Sequence, residues 1–305
     1  MKLSYHHGRN FGDALNPLIF NALFPGFFDD NEEDLFIGIG SIIGLKAASA
    51  RTRRRIYFSS GFAAGDPGTY GTLPKLGPVD DVVCVRGPLT AKAMGLPKEK
   101  AIADGAILAV RLFNLGPLET TIPVAYMPHV GSYGFYRDWE GLLATVGIEV
   151  IDPSGEPMEV MGRIQRTGLL LAEAMHGAIM ADAIGIPWIP VRCYGTINSF
   201  KWRDFTASMN LEYQPQSIPA LFDQGFSAPL VRGKLERSGL GFMHRPATFL
   251  YETYQQRIVR SQVLGAFKRL RTSRPLFSDR SLLAQRVDAL LDKADHVRRM
   301  YGRNA

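Results

Sequence analysis

The stretch GLLLAEAMHGAIMADAIGIPWIPVR, residues 168–192, decides how the chain is to be read. GLLLAE is an apolar run of strand length, HGAIMADAIG has the length and small-residue content of a helix, and IPWIPVR is a second short apolar run. Strand, helix and strand in succession form the unit from which parallel sheets are built.

The same alternation extends in both directions. Upstream, VAYMPHV and IEVIDP read as strands, and RDWEGLLATVG and EPMEVMGRIQRT as helices. GPLETTIP, near Pro117 to Pro123, reads as a linker. Before it, LFIGIG, RIYFSSG and DDVVCVRG read as strands that end in glycine or a polar turn. GPLTAKAMG reads as a helix, with Pro88 at its first position and Gly95 at its stop. Residues 251–305 differ: two long segments with helical spacing are separated by Ser273 and Pro275. The expectation is an α/β fold of two Rossmann-like domains with C-terminal helices. The divisions fall at 1–118, 119–250 (carrying the histidine motif) and 251–305.

Composition narrows the function. In 305 residues, 46% are apolar and 21% charged, an ordinary globular mixture. MKLSYHHGRN lacks the apolar region of a secretory leader, and LFIGIGSIIGL is too short and glycine-rich to span a membrane. Cys84 and Cys193 are too few for a disulfide framework or a zinc site. These features predict a cytoplasmic protein without a metal. The net charge is +6, and residues 251–305 hold twelve Lys/Arg against five Asp/Glu, a net +7. Such a tail is either solvated or a contact for anionic lipid; no nucleic-acid reader motif accompanies it. RTRRR, residues 51–55, reads as a solvated turn.

Ligands of open parallel sheets bind beyond the carboxyl ends of the strands, so those residues are the candidates. His176 falls in the first turn of a helix that follows Glu173. An imidazole there sits among unpaired N–H groups that favour an anion, with Gly177 and Ala178 keeping the surface low. A half-buried packing histidine is the alternative. Asn10, Gly12 and Asp13 form a loop entering a helix, with Asn10 or Asp13 able to cap it. The glycines of FIGIGSIIG could line an anion pocket but match no dinucleotide fingerprint or P-loop. Arg86 can grip a carboxylate or phosphate, or close a salt bridge. His129 and Ser132 stand at another strand end, near Tyr133, Tyr136 and Trp139. In NSFKWRDF, Lys201 and Arg203 alternate with rings that suit either sugar faces or the core. This inventory, without a metal cluster or a Ser/His/Asp order, points to an anionic substrate.

NFGDALN, VRGPLTAKAMGL followed by ADGAIL, YMPHVGS and EAMHGAIMADAIGIPWIPV, in that order, resemble the polysaccharide pyruvyl transferase family, and within it the ketal transferases of exopolysaccharide synthesis. The likeness covers residues 6 to about 205. It implies a fold like that of the two-domain GT-B glycosyltransferases. It also implies phosphoenolpyruvate as donor, with no cofactor, and a sugar hydroxyl pair on a lipid-linked oligosaccharide as acceptor. The product would be a cyclic pyruvate ketal, with phosphate released at the inner face of the membrane. His176 would transfer protons with Glu173 as its partner, Arg86 would bind the donor anion, and Asn10, Gly12 and Asp13 would form the N-terminal motif. Many members carry an arginine where this chain has Ala174, so a donor cation must come from Arg9, Lys201 or Arg203. A nucleotide-sugar glycosyltransferase of the same architecture, or a non-catalytic membrane-surface component of polysaccharide assembly, are the rival readings.

Overall fold

The structure, a computed structural model, describes residues 1–44, 52–65 and 71–302. Its strands are short, and three inner ones, Asp34–Ile37, Ala125–Met127 and Leu170–Ala172, are buried along their whole length, as expected of sheets covered by helices. β1 (Lys2–Ser4), β2 (Asp34–Ile37), β3 (Arg54–Ser60) and β4 (Asp80–Val85) form one parallel sheet in sequence order. Its register pairs Leu35 with Lys2 on one side and with Arg55 on the other. β5 (Ala125–Met127), β6 (Glu149–Val150), β7 (Leu170–Ala172), β8 (Trp188–Arg192) and β9 (Gln216–Ser217) form a second parallel sheet, ordered β6-β5-β7-β8-β9. In this sheet the chain goes outward from β5 to β6, then returns to lay β7 on the other side of β5. That reversal opens a crevice at the carboxyl ends of β5 and β7.

The helices are α1 (Phe11–Leu23), α2 (Pro88–Ala93), α3 (Ala109–Leu112), α4 (Val130–Tyr133), α5 (Trp139–Ala144), α6 (Pro157–Gln165), α7 (Met175–Ile184) and α8 (Ser199–Ser208). After β9 come α9 (Gln224–Arg237), α10 (His244–Tyr254), a π-helical turn at Gln255–Val259, α11 (Arg260–Leu270) and α12 (Arg280–Tyr301). Helix starts follow side-chain chemistry: Asn10 caps α1, Asp138 caps α5, Glu156 caps α6 and Asn198 caps α8. α2 is capped from a distance instead. Asp204, in α8, accepts from the N–H groups of Leu89 and Thr90 at 2.9 and 3.0 Å and from Thr90 Oγ1 at 2.5 Å. One carboxylate thereby ties the start of α2, after the first sheet, to a helix of the second.

The C-terminal helices are structural. α12 buries Leu283, Val287, Leu290, Ala294 and Val297 in the core shared by the two sheets, and Arg298 donates to Leu23 O. Tyr301 OH donates to Asp81 at the start of β4. α11 buries Val263, Ala266, Phe267 and Leu270 against Tyr126 and Trp139 of the second sheet's core. The basic stretch at 51–55 also departs from expectation. Arg51 lies outside the described residues, but Arg54 and Arg55 open β3 rather than a turn. Arg53 pairs with Asp34 and Arg55 with Asp80, so neighbouring strands, not water alone, receive these charges.

Candidate active site

A cavity of about 230 Å³ opens between the carboxyl ends of the two sheets. From the first sheet, the segment after β1 contributes His6, Asn10, Phe11 and Asp13, and the segment after β2 contributes Gly40, Ser41 and Ile42. The second sheet contributes Met127 and His129 after β5, Ala174, Met175 and His176 after β7, and Asn198, Lys201 and Trp202 after β8. The rule that ligands gather at strand ends therefore locates the site in both sheets.

Three longer helices begin at this cavity. α1 and α8 satisfy their first N–H groups with their own Asn10 and Asn198. α7 begins at Ala174, which supplies no side-chain cap. Its N-terminal N–H groups, with the positive end of the helix dipole, face the side where a ligand would lie.

His176 occupies the second position of α7, its side chain only 12% exposed. Nε2 lies 3.8 Å from Asp104 Oδ2, and neither buried atom has a hydrogen-bond partner among the described residues. Asp104 is fully buried at the start of the 3-10 turn Gly105–Leu108, which follows β4 and α2; its other oxygen, Oδ1, accepts from Ala106 N at 3.0 Å. The imidazole's opposite edge lies against Gly12. A Cβ at that position would fall 1.8 Å from Nδ1, so only glycine lets α1 pass so close to the ring. Burial lowers the His176 pKa, while Asp104 and Asp13 pull it upward and Lys201 and Arg86 push it down. The ring is therefore neutral near pH 7, with a carboxylate beside Nε2 that favours the proton there and leaves the lone pair on Nδ1.

Lys201 brings a cation to the same cavity. Burial and the Arg86 guanidinium bring its ammonium down to about 8, against the upward pull of Asp13. His129 is neutral as well, pushed to about 4 by burial and by Lys201. Its Nδ1 accepts from Gly131 N at 3.1 Å, which leaves the proton on Nε2. Asn10 Nδ2 donates to Asp13 Oδ2 at 2.7 Å, so Asn10 caps α1 and steadies Asp13.

Several expected site residues lie elsewhere. Glu173 is fully buried; it accepts from His129 N, Ser132 Oγ, Cys193 N, Tyr194 N and Tyr126 OH. It binds together the loops after β5 and β8, and the carboxylate that meets His176 is Asp104. Ser132 is buried in the same network. Arg86 is also fully buried: Nε bonds Asp204 at 3.0 Å, Nη1 Ser41 Oγ at 2.8 Å and Nη2 Phe62 O at 2.8 Å. It holds the two sheets together and does not line the cavity. Arg9 and Arg203 are exposed and lie outside the lining, so Lys201 is the one of the three expected cations at the cavity. Gly177 is small for packing rather than for a ligand, because a Cβ would fall 2.5 Å from Met127 Sδ. Trp202 packs between Trp188 and Tyr213, and Tyr136 and Trp139 lie in the second sheet's core.

The chain is 36% identical over 215 residues to Succinoglycan biosynthesis protein ExoV of Rhizobium meliloti (strain 1021). The matched part makes up 70% of this chain and spans 65% of that protein. No protein-family model matches the chain.

Proposed function

We propose that this protein is a transferase of exopolysaccharide biosynthesis that moves pyruvate from phosphoenolpyruvate onto two hydroxyls of a sugar. The product is a cyclic ketal, phosphate is released, and the acceptor is a lipid-linked oligosaccharide. The observation that carries the reading is the grouping of a neutral imidazole, a buried carboxylate, a lysine and an uncapped helix start around one small cavity. The similarity to a succinoglycan biosynthesis protein supports the same class. Two parallel sheets meeting at the cavity suit the GT-B-like arrangement expected of such enzymes.

The donor is small and carries two acidic groups. Lys201 and the N–H groups at the start of α7 are placed to hold them. The reaction then requires proton movement at three atoms: two hydroxyl oxygens and the donor's C3. The first sugar hydroxyl adds its oxygen to the donor's C2 and loses its proton, while the methylene C3 gains one. The second hydroxyl oxygen then displaces phosphate from C2, and its proton leaves with the phosphate. His176 acts as the proton carrier, with Asp104 beside its Nε2. At 3.8 Å that contact is longer than a hydrogen bond, as acid–base contacts often are before substrate binds.

Replacing His176 by Gln should lower phosphate release by about 10²- to 10⁴-fold, the usual contribution of a positioned acid–base group. Donor-induced thermal stabilisation should remain. A variant that turns over at the wild-type rate contradicts the assignment. A panel of donors separates the rival: stabilisation by phosphoenolpyruvate and not by nucleotide sugars supports pyruvyl transfer over glycosyl transfer.

A further inference from the structure

α9 and α10 form a helical arm whose apolar residues find no place in the core. Fifteen large hydrophobic side chains are exposed among the described residues, and nine of them lie between Phe226 and Ile258. No large apolar side chain of α9 or α10 is buried. Phe242 in the 3-10 turn before α10, Pro246, Leu250 and Tyr254 of α10, and Ile258 in the π-helical turn after it recur at every fourth position and are all exposed, with Phe249 beside them. That spacing makes a single stripe, the kind a globular protein ordinarily turns inward. Here it faces outward, Phe242 being 80% exposed, Phe249 70% and Leu250 67%.

Charge accompanies the stripe. The arm and its π-helical continuation, residues 224–258, hold five Lys/Arg against two Asp/Glu, a net +3. Arg232, Lys234, Arg237, Arg245 and Arg257 are exposed on the arm and its continuation. Bulky apolar residues interspersed with arginine are the composition of a helix that lies in a membrane interface rather than across it. No described helix is long and apolar enough to cross a membrane.

We propose that the arm Gln224–Tyr254 seats this protein on an anionic lipid bilayer. The Phe242–Leu250 stripe enters the headgroup boundary and the surrounding arginines meet lipid phosphates. The root of the arm fixes the orientation. Phe226 packs on Phe135, Asp223 N donates to Phe135 O, and Phe222 packs on Tyr194. Phe135 and Tyr194 follow β5 and β8 at their carboxyl ends, the edge on which the cavity lies. The seat thus brings the cavity side toward the interface. The proposal rests on this surface alone, whatever the donor.

Co-sedimentation of the full chain with vesicles tests it. Phosphatidylglycerol vesicles should bind the protein, and pure phosphatidylcholine vesicles or raised salt should release it. Arg237→Ala with Arg245→Ala should weaken binding roughly 25-fold, at about fivefold per cation. Phe242→Ser, Phe249→Ser and Leu250→Ser together should weaken it at least tenfold, by loss of apolar insertion. A direct reporter is Phe249→Trp, since Trp139, Trp188 and Trp202 are all buried. Its emission should shift to the blue on adding anionic vesicles. Unshifted emission, or variants that bind like the wild type, overturns the proposal. So does wild-type self-association that the triple serine variant abolishes without any vesicle binding, which would make the arm a contact between copies.

Discussion

At the scale of single residues, the pair His176–Asp104 carries the proposed chemistry, and its parts were unequally visible in the sequence. His176 could be found because a strand-to-helix junction in a parallel sheet predicts a ligand side. Asp104 was hidden: a carboxylate at the 3-10 turn beyond α2 meets a histidine just after β7 only once the two sheets face each other. Glu173 was misread for the converse reason, since closeness in sequence does not mean closeness in space where side-chain directions alternate. Asp104→Asn should lower kcat with little change in KM for the donor. It should also move the acidic limb of the pH–rate profile to lower pH, because the carboxylate it removes raises the imidazole pKa. A variant with unaltered pH dependence would show that Asp104 only fills space. For Lys201, with its ammonium near 8, donor affinity should fall as pH rises through 8 and the charge is lost. Calorimetric titration of Lys201→Arg, which stays charged, should show that fall abolished.

At the scale of elements, the strands flanking the site were legible from their apolar runs, and so were α2, α6 and α7 from their bounds. β1 and β9, of three and two residues, are too short to carry any period and were not foreseen. Arg86 shows what an isolated strand end cannot reveal. Its guanidinium could equally grip a ligand or a carboxylate, and the deciding partner, Asp204, lies in α8 of the other sheet. Because that pair is fully buried, breaking it leaves a charge without its counterion. Arg86→Ala should cost about 3–5 kcal/mol in denaturant unfolding. Should the variant keep full stability and lose only donor affinity, Arg86 would be a ligand after all. His129 adds a pH dependence of stability. Above pH 6.5 it is neutral whether folded or unfolded. Between 6.5 and about 4 only the unfolded chain takes up the proton, so stability should decline as pH falls through that window.

At the scale of the molecule, the alternation of apolar runs and helices was enough to anticipate parallel sheets, and the carboxyl-end rule placed the crevice between them. The role of the last helices was not legible. Their spacing says that each has a face to bury, but not that α12 closes the core shared by the two sheets and α11 the outer core of the second. Nor does a count of basic residues distinguish these packed helices from the outward-facing arm that precedes them. The two sheets, tied by Arg86 and Asp204, enclose the cavity proposed to bind a phosphorylated enol acid. The most direct test is mass spectrometry of a lipid-linked oligosaccharide incubated with the protein and phosphoenolpyruvate. The expected product is heavier by one pyruvate less a water, accompanied by free phosphate and absent with His176→Gln. An unchanged glycolipid under those conditions, together with a sugar added when a nucleotide sugar is supplied instead, would contradict pyruvyl transfer.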